Sequence, residues 1–437
     1  MQSQNDNLSQ VEWHHGLKEI PVKVDIQVRP WTTGGESEYY FPGVGSGQRS
    51  DDVNSPYGGI VYKYSKESVV LYAPNRHDGY PSGYAVYTGG SNWNGPIQQA
   101  ESSVSVRIRV WGQQHFPEPD FFKNWTSINI GNVMKEIHHQ LEAQPEYVVL
   151  QIKLGNTKYI VDGIGYVMPL GDQMKYNKWG GVLYGYDNST IRIWTNTIGG
   201  SLFYAKDGWG LSNESFTEGY YRIFAWSSLT SDRVQTTLKL ALPFINSTSR
   251  DFEIELDSII DLECDFIDVR IREMALEGSN TRGSNFGYLF KATGGVQNTL
   301  QNNSYSGVVY SYSSTAVRVW YPSVEDKVHY LVFIDKSFGG NTSVATHAEL
   351  VITVFRPAGI CRYISTAVTK EVTAPEEGTP LETKEVTATD EVTLQGVYNA
   401  TFYDGRMRSN EVVISAFISH RAAVTIVERY THRIVVY

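Results

Sequence analysis

Three stretches of the chain are copies of one another. YGGIVYKYSKESVVLY (57–72), WGGVLYGYDNSTIRIW (179–194) and YSGVVYSYSSTAVRVW (305–320) align without a gap, with starts 122 and 126 residues apart. The shared pattern is an aromatic, a glycine in third place, two aliphatics, Tyr-x-Tyr, four turn residues and an alternating strand ending in an aromatic. Period-two alternation across a short polar turn specifies a β-hairpin with one buried face. In the second copy Val182, Tyr184 and Tyr186 share a face with Ile191 and Ile193, while Gly185, Arg192 and Trp194 lie opposite. A period above 100 residues makes each copy the centre of a domain-sized unit rather than one turn of a solenoid.

The likeness extends outward from each hairpin. Alternating strands precede it at 22–30, 147–154 and 265–273. Glycine-rich segments lie between strand and hairpin: FPGVGSGQ (41–48), VMPLGDQ (167–173) and FKATGGVQ (290–297). A further alternating strand closes each unit: VSVRIRVW (104–111), YYRIFAW (220–226) and ELVITVF (349–355). With 29 Tyr and 39 Gly among 437 residues, the composition favours pleated, half-buried surfaces and turns. The expected fold is all-β: three tandem antiparallel β-sandwiches, jelly-roll-like, over 1–113, 114–230 and 231–361. Val133, Ile137 and Leu141 stand four apart before Pro145, which predicts one short helix near 132–144.

After Pro357 the chain changes character. Residues 362–395 are rich in Thr, Glu and Pro and read either as a linker or, through their Val/Thr alternation, as an extended strand. Residues 396–437 form a β-rich tail that ends on the apolar run RIVVY, an edge that calls for cover. Strand pairing with another copy of the chain would supply it.

Net charge of −10 argues against nucleic acid, whose binding needs a basic field, and no apolar run reaches the length of a membrane span. Seven Asn-x-Ser/Thr sequons, at Asn124, Asn188, Asn213, Asn246, Asn302, Asn341 and Asn399, point to a glycosylated, extracellular protein. The chain's two cysteines, Cys264 and Cys361, bracket the third unit and suit a disulfide between its first and last strands.

Catalytic patterns are missing from the sequence: there is no phosphate loop, no H-E-x-x-H, no G-x-S-x-G and no paired C-x-x-C. The GVGSG run (43–47) has the wrong spacing for a dinucleotide fingerprint. Adjacent histidines at 14–15 and 138–139 point in different directions and do not suit one metal. The acidic residues Glu253, Glu255, Asp257, Asp261, Glu263, Asp265 and Asp268 raise Ca²⁺ as a cofactor to test, although their spacing is not that of a calcium loop. The Gly/aromatic turns at 89–95 (Trp93), 207–210 (Asp207, Trp209) and 335–340 (Asp335, Phe338) carry the chemistry of sugar binding, a ring to stack on a pyranose and a carboxylate for its hydroxyls. Arg192 and Arg318, each beside an aromatic, are further ligand candidates.

The pattern G-V-x-Y-x-Y followed by V-R-x-W-x-P and a DGWG turn is carried by Gly307, Val308, Tyr310, Tyr312, Val317, Arg318, Trp320 and Pro322, and by 181–194 and 207–210 in the second unit. It resembles a tandem-repeat family of secreted and cell-surface proteins of marine invertebrates; the first unit departs from it, with Val70 in place of the arginine. The resemblance implies adhesion, recognition or matrix roles rather than an activity. The expectation is a non-enzymatic extracellular building block that self-assembles through its C-terminal strands. A multivalent lectin is the alternative, and a pore-former with 369–392 as inserting hairpin is the other.

Overall fold

The computed structural model describes residues 1–357, except 52–53, 77–81, 132–133, 198, 230–233, 242–251, 258, 275–283, 301, 324–328, 335 and 339–342, together with 384–386 and 424–426. It is all-β, with one short helix, α1 (Gly171–Lys175), among the described residues. Residues 1–363 form one compact unit and 364–437 a second. In the second, a strand pair is described, Lys384–Val386 against Val424–Ile426; the rest of the linker and tail, including RIVVY, lies outside the described residues.

The first repeat contributes β1 (Gln10–His14), β2 (Lys23–Thr32), β3 (Phe41–Pro42), the hairpin β4 (Val61–Tyr64) and β5 (Ser68–Tyr72), and β6 (Val104–Trp111). The second contributes β7 (Phe121–Asn129), β8 (Lys135–His138), β9 (Tyr147–Leu154), β10 (Ile160–Asp162), the hairpin β11 (Leu183–Tyr186) and β12 (Thr190–Trp194), and β13 (Glu218–Trp226). The third contributes β14 (Val234–Ala241), β15 (Glu253–Glu255), β16 (Phe266–Glu273), β17 (Leu289–Lys291), the hairpin β18 (Val309–Tyr312) and β19 (Ala316–Pro322), and β20 (His347–Phe355). The hairpin registers follow the alternation: Tyr184 faces Ile193, and Tyr186 faces Ile191.

Each hairpin joins the sheet of the next repeat. One seven-stranded sheet runs β1-β5-β4-β10-β9-β13-β7, so the first hairpin completes the second repeat. Another runs β8-β12-β11-β17-β16-β20-β14, so the second hairpin completes the third. The third hairpin closes the circle: β18 meets the first repeat through the Tyr312–Tyr40 bridge beside β3, β2 and β6. The repeats therefore interlock as a ring, each hairpin lying in the sheet of its neighbour.

The ring closes around an axis built from the glycine-rich segments. Val44, Ile164 and Thr293 each bridge in parallel to their own repeat's hairpin, which makes 161–168 the counterpart of 41–48 and corrects the expected 167–173. Gly58 donates to the Val296 carbonyl at 2.8 Å, Gly180 to Gly47 at 2.9 Å and Ser306 to Val167 at 2.7 Å. At the next layer the amide of Gln48 donates to the Gln297 side chain, that of Met168 to the Gln48 side chain and that of Gln297 to the Met168 sulfur. All three of these residues are fully buried. A Cβ on Gly45 would lie 2.9 Å from the Asp162 carbonyl, one on Gly165 2.2 Å from the Lys291 nitrogen, and one on Gly294 1.7 Å from the Pro42 carbonyl. Only glycine permits that approach, and this is the work of the GVGSG run. The aromatic that ends each closing strand meets its counterparts in another such cluster, Trp111, Trp226 and Phe355 packing with Phe116, Tyr147 and Phe266.

In place of the helix expected near 132–144, residues 135–138 form a strand, and no described residue of that span is helical. β8 pairs with β12, Ile137 facing Ile191. Gly131 at φ 86° and Gln140 at φ 55° interrupt any helical run on both sides, and pairing with a sheet edge overrides a weak four-residue periodicity.

Candidate interaction edge and the predicted sites

The three Gly/aromatic turns are docking elements of the ring. Trp209 is fully buried, donates from Nε1 to the Arg49 carbonyl at 2.7 Å, and its backbone bridges Pro74, just beyond the first hairpin. Trp93 is buried, donates to the Asn298 carbonyl at 3.2 Å and pairs with Pro322 of the third hairpin. Phe338 packs edge-on against Trp179 at 5.0 Å, and the Ser337 carbonyl accepts from Thr197 beyond the second hairpin. The hairpin and the turn recur together because each turn seats on the preceding repeat's hairpin. A ring buried on all sides has no face to offer a pyranose, so Trp93, Trp209 and Phe338 belong to the core. Asp207 is exposed at φ 51° and accepts from the Tyr204 hydroxyl at 3.4 Å; Asp335 lies outside the described residues.

Arg192 and Arg318 hold sheet edges. Arg192 pairs with Glu136 of β8 at 2.7 Å and lies 4.5 Å from the Tyr288 ring. Arg318 pairs with Glu253 of β15 at 2.5 Å and lies 3.6 Å from the Tyr39 ring. In the first repeat Glu12 faces Val70 and accepts from Ser68 at 2.7 Å. A sequence signal announced these edge strands, the Glu-x-His-His-x-Leu shared by 12–17 and 136–141. The second histidine of each pair reaches its hairpin turn: His15 Nε2 lies 3.1 Å from the Ser65 carbonyl and His139 Nε2 3.2 Å from that of Asp187. Burial pulls the His139 imidazole below its ordinary range, favouring the neutral ring that accepts from the Leu141 amide.

The acidic run is also engaged. Asp265 takes a two-pronged contact from Arg356 at 2.6 and 2.9 Å, Asp268 pairs with Arg270 at 2.5 Å, and Asp261 accepts from the Glu263 amide at 2.9 Å. Among the described residues no three of His, Cys, Asp and Glu converge as metal ligands. The sequon residues Asn124, Asn188, Asn213 and Asn302 are exposed, while Asn246, Asn341 and Asn399 lie outside the described residues. Cys264 is buried, and Cys361 is outside. No helix among the described residues is long and apolar enough to cross a membrane, which says nothing of strands.

The ring's symmetry is broken at the outer edge of β6. The equivalent strands β13 and β20 are each flanked by a seventh strand, β7 and β14; among the described residues β6 has β2 on one side and no strand on the other. The Val104 amide faces outward, donating to the Met1 carbonyl, so strand alternation turns the main-chain groups of Val106, Ile108 and Val110 outward as well. Their side chains are only partly buried. In β20, by contrast, Leu350, Ile352 and Val354 are buried. Arg109 and Arg107 on the other face are tied to Asp25 at 2.7 Å and Glu263 at 3.6 Å. Among the described residues the edge thus presents unpaired backbone donors and acceptors above an incompletely covered aliphatic row, which is the chemistry that accepts an added strand. Compared with models of known protein families and with curated proteins, the chain matches none.

Proposed function

We propose that this chain is a non-enzymatic, secreted building block that self-assembles by strand addition, β6 receiving a strand donated from the C-terminal tail of a neighbouring copy. The observation that carries the reading is the absence, among the described residues, of a seventh strand beside Val106, Ile108 and Val110. Pairing there would satisfy outward main-chain groups and cover the aliphatic row, contributions that favour association without a dedicated pocket. The exposed sequons suit glycosylation outside the cell, and a Cys264–Cys361 disulfide would close the third repeat in that compartment. The repeated motifs support a structural role, because their glycines and aromatics are engaged in closing the ring.

The test is light scattering on the full chain and on Val106→Pro. Proline removes an outward donor while leaving the pairing with β2 in place. An assembly that falls to monomer in the variant, with unchanged circular dichroism, supports the reading. A monomeric wild-type chain, or an assembly indifferent to the substitution, overturns it.

A further inference from the structure

The second tyrosine of each Tyr-x-Tyr reaches over a polar residue of the neighbouring repeat, so the ring contains three versions of one buried layer. In two of them the layer is closed by an amide: Gln151 donates to the Tyr64 hydroxyl at 2.8 Å, and Gln27 to that of Tyr312 at 3.1 Å. In the third the amide is replaced by Arg270, whose guanidinium lies 4.9 Å from the Tyr186 ring. Its Nε donates to Asp268 at 2.5 Å and its Nη2 to the Val148 carbonyl at 3.0 Å. Among the described residues its Nη1 has no hydrogen-bond partner, and neither has the Tyr186 hydroxyl, although Arg270 is 3% and Tyr186 0% exposed. An unpaired buried donor costs roughly 1–3 kcal/mol, more when charged, so two together ask for an occupant. Both residues line a cavity of about 260 Å³ whose wall also includes Arg272 and Thr353. Exposed Ala143 and Ser227 lie at its rim and give it an entrance.

We propose that this cavity binds a small carboxylate bearing hydroxyl groups, of the size of a hexuronic acid. Nη1 of Arg270 is a donor only and is best matched by a carboxylate oxygen, since a charge-assisted bond is about twice as strong as a neutral one. The Tyr186 hydroxyl donates to the second oxygen or to a ring hydroxyl, and Thr353 and Arg272 meet the remaining hydroxyls. The site is distinct from the β6 edge and does not depend on assembly.

The experiment is titration calorimetry of the full chain with D-glucuronate, D-glucose and acetate. Glucuronate is expected to bind, with glucose weaker by about tenfold or more for want of the carboxylate. Tyr186→Phe, which leaves the ring packing intact, is expected to weaken glucuronate by about fivefold to tenfold. A second variant, Asp268→Val with Arg270→Gln, installs the Val149–Gln151 pair of the second repeat, closes the layer onto Tyr186 and is expected to abolish binding. Absence of glucuronate binding, equal binding of glucose, or a Tyr186→Phe chain that binds as wild type would each overturn the proposal. So would water as the cavity's only occupant in a crystal soaked with glucuronate.

Discussion

β6 and β20 close equivalent sheets with equivalent sequences, yet they live in different surroundings. VSVRIRVW and ELVITVF alternate alike, and Ile108 and Ile352 occupy matching registers against Ile26 and Val269. Ile352 is 1% exposed, whereas Ile108 is only partly buried. What differs is the flanking strand: β14 lies beside β20, and among the described residues no strand lies beside β6. A repeated sequence fixes the strand, and its neighbour fixes how much of that strand water sees.

The comparison can be broken most severely at the axis, where the repeats should behave alike. Gly165→Ala drives a Cβ into the Lys291 backbone and is expected to cost more than about 4 kcal/mol, enough to prevent folding at moderate urea. Gly287→Ala, with open space around its Cβ at φ 84°, should cost only about 1–2 kcal/mol. Trp209→Ala should lose roughly 3–5 kcal/mol in denaturant melts, and Trp93→Ala a similar amount, if both turns are docking elements. A Trp209 variant of wild-type stability would return that turn to the list of surface sites.

The edge itself is sharpened by a matched pair. Ile352→Ala should cost roughly 3–4 kcal/mol and Ile108→Ala about half as much in the unassembled chain, because the transfer term scales with the area already buried. Equal losses would mean that β6 is covered after all. A third contrast concerns Glu273, which stands where the second repeat has Leu154. Burial raises its carboxyl to about 7. The fold therefore holds a proton that the unfolded chain has released above about pH 4.5, and stability is lost as pH rises through 7. Glu273→Gln should remove that decline, gaining on the order of 3 kcal/mol at pH 8 and nothing at pH 4, by melts at the two pH values. The smallest effect belongs to Arg318→Ala, about 1 kcal/mol or less, since its pair with Glu253 is partly open to solvent.

The hairpins, their registers and the all-β class were legible because period-two alternation is local. The ring was not, since nothing in a hairpin's own residues tells which sheet it will join. Trp209 misled for a related reason: a glycine-flanked aromatic looks the same whether its ring points to water or into the next repeat. The strand over 135–138 could have been found by aligning its Glu-x-His-His-x-Leu with the copy at 12–17, which outweighs three aliphatics at helical spacing. The Arg270 cavity had no sequence signature of its own. It emerges only when Gln27, Gln151 and Arg270 are placed in one frame.

The Tyr312–Tyr40 bridge has a further consequence, for the order in which the molecule can form. A chain emerging from its N-terminus can complete the second repeat's sheet as soon as β13 is made, because the hairpin it needs came first. The first repeat's sheet must wait until β18 and β19 exist, with the whole of the second repeat already synthesised between its halves. Loop closure over that separation is slow and leaves β2 and β6 with open edges in the meantime. The first repeat's sheet thus finishes only after the second repeat's, although most of its own strands were made earlier, and the interval before ring closure is when the chain is most exposed to pairing with another copy.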